Sequence, residues 1–275
     1  IGYGGHSNEL LRKYPNIKIV GIDRDIEAIN FTKERLKEFK DRITLIHSTF
    51  SKGLKEIKDL PISGILADFG VSSLHLDKKE RGFSFKSETL DMRMDQNAKV
   101  DAKYILNNYS QDQLEKIFRE YGEIKEAKKL AKEIIVQRAK EPITTPSQLI
   151  EIANRVIKKR SNKNIATTLF QAIRIEVNSE LKEIEELLDF LEELKPKGAI
   201  VSIITFHSLE DRLIKNRFKK WAQDCICPPQ AIKCSCGNNH SLGKILSKVI
   251  TPSKEEIKNN PRSRSAKLRV FRFKE

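Results

Sequence analysis

Asp68-Phe69-Gly70 brings an acid, an aromatic ring and a glycine together directly after the apolar residues Ile62, Ile65, Leu66 and Ala67. That run reads as a buried parallel strand. Ligands of open α/β sheets gather outside the carboxyl ends of the strands, so the triplet is a candidate reaction site. Asp68 can accept hydrogen bonds, Phe69 can stack on a planar substrate, and Gly70 lets the backbone come close. A plainer reading has Asp68 capping a turn and Phe69 in the core. A second strand end is similarly loaded. The β run over 199–206 stops at His207-Ser208-Leu209-Glu210-Asp211-Arg212. Ser208 with Asp211 reads as a capping box for the next helix, which leaves His207, Glu210 and Arg212 to face the same crevice as Asp68; Asp68, His207 and Asp211 are the candidate proton-handling residues.

Ile1-Gly2-Tyr3-Gly4-Gly5-His6-Ser7 precedes a helical segment with Leu10 and Leu11, and Asp23 ends the strand that follows. A glycine loop opening a helix offers backbone N–H groups to a ligand, and an acid about 20 residues on suits ribose hydroxyls. Ser7 stands where a dinucleotide fold wants a third small residue. The pairing therefore favours an adenosine-bearing ligand without specifying a dinucleotide. Phe50, after the strand at 43–47, can cover an adenine ring or simply join the core. All four cysteines fall in two C-x-C pairs, Cys225/Cys227 and Cys234/Cys236, with His240 nearby. They can hold zinc, but the pairs are tighter than the usual spacing, so reduced loop thiols are expected and no metal site is assigned. They do not form a disulfide framework, which points to a reducing compartment, the cytoplasm.

The elements needed to position these residues follow from the patterning. Strands ending at Asp23, near His47 and at Asp68 alternate with helical segments, the signature of a doubly wound sheet. Residues 74–97 are polar, without helical period, and are expected as an ordered substrate loop anchored by Phe83 and Phe85. From 101 to 177 the periodicity is helical throughout. Leu114, Ile117, Phe118 and Tyr121 recur at helical spacing, and Thr145-Pro146-Ser147 reads as a helix start. The α/β pattern then resumes, with a helix over Leu181 to Leu191 ending at Lys195-Pro196-Lys197-Gly198. The expected organisation is one discontinuous domain, 1–97 with 178–275, carrying a helical insertion at 98–177.

A formal net charge of +14 attracts polyanions. The longest apolar run, 198–206, falls far short of the roughly 18 residues that span a bilayer. Lys125, Lys128, Lys129 and Lys132 are expected on a shared helix side, residues 158–163 form a basic stretch, and Arg262 and Arg264 are natural phosphate ligands. An adenosine loop, a positive field and an acid at a strand end together point to methyl transfer from S-adenosylmethionine to nucleic acid. Methylating a pyrimidine ring carbon needs a cysteine nucleophile, and no cysteine lies near a strand end. An exocyclic amine needs only positioning, a proton acceptor and in-line approach, on a base that is single-stranded or flipped out.

The chain resembles the RsmH/MraW family. The resemblance rests on Gly4-Gly5-His6-Ser7, Gly21-Ile22-Asp23-Arg24-Asp25, Asp68-Phe69-Gly70-Val71-Ser72-Ser73, Arg81-Gly82-Phe83-Ser84-Phe85, Asp91-Met92-Arg93-Met94-Asp95, Phe170-Gln171-Ala172, residues 206–212 and residues 260–269. It implies a Rossmann-like class I methyltransferase sheet with an inserted helical domain, whose first strand lies upstream of the residues present here. It further implies methylation of cytidine N4 in 16S ribosomal RNA or the small ribosomal subunit. The cofactor contacts implied are Gly4, Gly5, His6, Asp23, Phe50 and Asp68, with His75 where the family commonly has glutamine. A nicotinamide-dependent dehydrogenase shares the loop and Asp23 but gives no reason for the basic insertion. A non-enzymatic RNA-binding module explains the charge but not the loaded strand ends. Homodimerisation is left open.

Overall fold

The computed structural model describes residues 1–157, 165–228, 230, 231 and 233–275. The basic stretch 158–163 lies outside these residues. The chain divides into two compact units, 1–70 with 181–275, and 71–180.

The first unit opens with α1 (Gly5–Lys13), β1 (Ile19–Asp23), α2 (Ile26–Arg35), β2 (Ile43–His47), α3 (Phe50–Glu56) and β3 (Gly64–Asp68). The Asp25 side chain caps α2 by accepting from Glu27 N–H at 2.9 Å, so the turn after Asp23 is fixed locally. β1 and β2 run parallel, paired from Ile19↔Ile43 to Asp23↔His47. β3 belongs to a second, mixed sheet.

The second unit holds α4 (Ser73–Asp77), α5 (Ala102–Asn108), α6 (Gln111–Glu120), α7 (Ala127–Arg138), α8 (Pro146–Val156) and α9 (Ile165–Asn178). Capping boxes open α6, from Ser110 and Gln113, and α8, from Thr145 and Gln148 with Pro146 in the first turn. Leu106, Leu114, Phe118, Leu130, Leu149 and Ile173 are buried in one core. Phe83, Leu90, Met92 and Met94 belong to it too. The compact unit thus takes in 71–97 together with the expected insertion 98–177, because Phe83, Leu90, Met92 and Met94 are buried with the helices. The reading of 74–97 as free of helix is corrected: the stretch includes part of α4 and a 3₁₀ turn at Lys79–Arg81. Phe85, though 43% exposed, sets its ring edge-on to buried Phe170 at 6.4 Å between centroids. Buried Arg81 donates to Arg93 O and Met94 O, both at 3.0 Å. Asn178 accepts from Met94 N–H at 2.8 Å and donates to Met92 O at 2.7 Å. These bonds tie the 91–95 backbone to two buried side chains, Arg81 and Asn178. Lys128, Lys129 and Lys132 are exposed on α7, whereas Lys125 precedes that helix.

The chain returns through α10 (Glu180–Leu194), β4 (Ile200–Thr205), α11 (Ser208–Trp221), β5 (Gly243–Ile245), α12 (Lys254–Asn259) and β6 (Lys267–Phe273). The mixed sheet has the order β3-β4-β6-β5, with β3 and β4 parallel and the other pairings antiparallel. Leu187 and Leu191 of α10, Val201 and Ile203 of β4, and Phe218 and Trp221 of α11 pack with Phe271 of β6 in the first unit's core. Each such side chain contributes roughly 1.5–3 kcal/mol by leaving water. Trp221 Nε1–H satisfies itself on Glu192 Oε2 at 3.0 Å. Among the described residues no helix is long and apolar enough to cross a membrane. A cavity of about 490 Å³ opens at the amino ends of β3 and β4, beside Ser63 and Gly198, the opposite end from Asp68.

Candidate active site

Gly4 is the N-cap residue of α1, in the left-handed region with φ 76° and ψ 14°. A Cβ there would lie 3.0 Å from Thr32 Cγ2. Only glycine takes this turn without strain. No described side chain caps α1, and a Cβ at Gly5 would meet nothing within 4 Å. The first turn of α1 is therefore a bare backbone cradle at the positive end of a helix dipole. Thr32, buried on α2, donates to Gly2 O at 2.8 Å and holds the turn from below. Sequence patterning passed over Thr32; its signal was a hydroxyl among the inward-facing positions of α2.

Asp23 closes the turn from the end of β1. Its Oδ2 accepts from Gly2 N–H at 2.8 Å and its Oδ1 from Asp25 N–H at 2.9 Å. Each oxygen keeps a further lone pair, the donor-set chemistry a ribose diol requires. Gly4, Gly5 and Asp23 thus fit the adenosine moiety that the sequence implied. Phe50 begins α3, with its ring centroid 5.4 Å from that of Phe69.

His6, in the first turn of α1, reaches Asp68 at the end of β3, with Nε2 3.5 Å from Oδ2. The two side chains are 60% and 43% exposed. The hydrogen bond to Asp68 raises the His6 pKa above its ordinary 6.5, against the lowering by burial. This pairing joins two motifs that are distant in the chain. Phe69 does not share the opening. It is buried in the core, and its N–H continues the strand by donating to Ile204 O at 3.1 Å. The expected stacking role for Phe69 is corrected: the residue after the strand still faces inward.

The end of β4 also differs from expectation. α11 starts at Ser208 with His207 as N-cap, so its capping box is His207 with Glu210, and not Ser208 with Asp211. His207 Nδ1 accepts from Glu210 N–H at 3.4 Å, and its Nε2 lies 3.1 Å from Glu210 Oε1. Fully buried Glu210 accepts from Phe206 N–H at 2.8 Å and His207 N–H at 3.2 Å. His207 Nδ1 is thereby committed to the helix start, whereas its buried Nε2, although close to Glu210 Oε1, makes no hydrogen bond among the described residues. Asp211, a sequence candidate for proton handling, faces β6. Its Oδ1 accepts from Arg269 Nε at 2.7 Å, and its Oδ2 from Arg269 Nη2 at 3.2 Å and Lys267 Nζ at 3.1 Å. Burial would raise its carboxyl pKa, yet the Arg269 and Lys267 bonds hold it below the ordinary 3.8. A carboxylate stabilised as the anion by two cations is a weak base, which corrects its assignment.

His75 lies in the second unit, buried. Its ring stacks on Phe83 at 5.0 Å between centroids, and its Nδ1 accepts from Ser72 N–H at 3.3 Å. The four cysteine sulfurs, expected as separate loop thiols, lie within 4.8 Å of one another. His240 is turned to a backbone carbonyl, Nε2 to Cys236 O at 2.6 Å.

Parallel strand ends, a bare helix cradle and an acid with ribose-binding capacity define an α/β enzyme built for an adenosine-bearing cofactor. Comparison with known proteins narrows the class. The chain belongs to the MraW methylase family, whose sequence model matches residues 1–274, and is a methyltransferase that uses S-adenosylmethionine. It is similar to the ribosomal RNA small subunit methyltransferase H of a Sulfurovum species, 58% identical over 275 residues, covering 100% of this chain and 90% of that protein. The protein of the same name from a Nitratiruptor species is 56% identical over 277 residues, covering 100% of this chain and 91% of that one. That from Nautilia profundicola is 54% identical, covering 99% and 88%.

Proposed function

We propose that this protein methylates the exocyclic N4 amine of a cytidine in 16S ribosomal RNA, in the decoding region of the small subunit. The observation that carries the reading is the His6–Asp68 pair, set between the glycine cradle and the end of β3. Bound S-adenosylmethionine supplies an electrophilic sulfonium methyl group. Gly4, Gly5 and Asp23 hold its adenosine end, and His6 and Phe50 border it. Asp68, half-exposed, accepts a hydrogen bond from the incoming amine, fixes its approach and receives the proton released on methylation. His6 shares charge with Asp68 and keeps the carboxylate aimed at the opening. His207 and Asp211 act at one remove, by capping α11 and tying it to β6. With every cysteine in 225–236, covalent activation of a ring carbon has no nucleophile here, which favours an amine.

The relatives' name supports a ribosomal RNA substrate, and the cytoplasmic location expected from the reduced cysteines goes with it. The net charge of +14 and the exposed lysines of α7 support RNA contact through the helical unit, with 98–177 as its recognition segment. In the Rossmann-like reading of the fold, the two parallel pairings, β1 with β2 and β3 with β4, are parts of one sheet. Homodimerisation is tested by light scattering.

The deciding experiment combines labelled S-adenosylmethionine, the full-length protein and small subunits from cells lacking the modification, followed by nucleoside analysis. Label in N4-methylcytidine is expected. Label in another nucleoside overturns the substrate and atom assigned.

A further inference from the structure

We propose that Cys225, Cys227, Cys234 and Cys236 form a structural tetrathiolate site for one zinc ion. Four thiolates at about 2.3 Å from a tetrahedral zinc stand about 3.8 Å from one another. The sulfurs of Cys225 and Cys234 are 3.6 Å apart, Cys225 and Cys236 3.8 Å, Cys227 and Cys234 4.0 Å, and Cys234 and Cys236 3.6 Å. All four thiols are free, at separations far beyond the roughly 2.05 Å of a disulfide. The cluster thus has the dimensions of a zinc centre.

The backbone supports the same assignment independently. Ile226 N–H points at Cys236 Sγ at 3.4 Å, and Ser235 N–H at Cys227 Sγ at 3.3 Å. Each pair therefore sends an amide to a sulfur of the other, an arrangement that stabilises thiolate over thiol. Gly237 and Asn238, with φ 85° and 55°, turn the chain sharply after Cys236, and the His240 bond to Cys236 O fixes that turn. Outer hydrogen bonds of this kind orient metal ligands. Tight C-x-C spacing had argued against a metal, because two residues apart on a regular strand leave little freedom for both sulfurs to close on one ion. Neither pair lies on a regular strand. The bent backbone at each lets both sulfurs converge.

The site would staple the long connection between α11 and β5. Its base is already closed by Leu242 N–H to Trp221 O at 2.7 Å and His240 N–H to Asp224 O at 3.0 Å, while Ile226, Pro228 and Ala231 along it are exposed. Such a connection is ordered more cheaply by a metal than by a core. Binding converts the thiols to thiolates and releases their protons to solvent. No redox step is involved.

The test is elemental analysis of full-length protein purified without chelator, followed by cobalt(II) titration of the metal-stripped protein. The expected results are one zinc per chain and one equivalent of cobalt with the absorption of a tetrahedral thiolate complex. The Cys225→Ser/Cys234→Ser variant should lose the metal while still binding S-adenosylmethionine in calorimetry. Iron at the same stoichiometry, a disulfide by mass spectrometry, or wild-type protein free of metal with four reactive thiols would overturn the proposal.

Discussion

Asp211→Asn separates a proton acceptor from a structural anion. The substitution keeps the side chain's shape and removes the charge that Arg269 and Lys267 share. Hydrogen bonds to charged groups contribute about 1.5–3 kcal/mol each, and breaking a fully buried pair costs about 3–5 kcal/mol. Here the Asp211 and Arg269 side chains are largely buried, but Lys267 is 42% exposed, so its share is screened by water. The expected loss is about 2–3 kcal/mol, mostly from the two Arg269 bonds. At about 2–4 °C per kcal/mol for a domain of this size, the first unit should melt roughly 4–12 °C lower near neutral pH. The Asp211 pKa is depressed, so its stabilisation is present above 3.8 and is lost as pH falls through the lowered folded value. The gap between variant and wild type should therefore close below pH 3.8, as scanning calorimetry across pH would record. Methylation measured below both melting temperatures should change by less than about tenfold, well short of the roughly 10²–10⁴-fold loss expected for a general base. An Asn variant that melts with the wild type but loses that activity would refute the structural role and return Asp211 to the chemistry.

Asp68→Asn should lower methylation by about 10²–10⁴-fold while S-adenosylmethionine still binds in calorimetry. In the same variant an NMR titration should find the His6 pKa moved down toward 6.5, since Asp68 is the main cause of its rise. In the wild type the His6–Asp68 attraction is complete below pH 6.5 and is lost as pH rises through the elevated value; a His6 pKa indifferent to Asp68 would break the pairing. Gly4→Ala forces a Cβ into the left-handed region, at about 1–2 kcal/mol, and against Thr32. It should weaken cofactor binding by about tenfold or more, and unchanged affinity would remove the turn from the site. Replacing Lys128, Lys129 and Lys132 with alanine should flatten the salt dependence of RNA binding by about 0.7–0.9 in slope per lysine that contacts phosphate. An unaltered slope would place the RNA elsewhere.

Features that depend on a few neighbouring residues could be read from the chain directly. The start of α8 at Thr145-Pro146, the stop of α10 before Lys195 and the strand ending at Asp68 are examples. Caps, helical periodicity and short apolar runs act within about one turn, so a window of sequence contains their cause. Even there a shift of one position mattered: placing the N-cap at Ser208 instead of His207 gave Asp211 the capping role that belongs to Glu210 and left Glu210 unexplained. Phe69 was misread because the strand's pairing continues one residue beyond its last apolar position. The bonds that give the site its character join distant segments: His6 to Asp68, Asp211 to Lys267 and Arg269, and one C-x-C pair to the other. Strand register and the return of β6 beside β4 bring Asp211 to its two cations. Both are properties of the assembled sheet, since the side chains acquire partners only when segments with no local claim on each other are packed into one core.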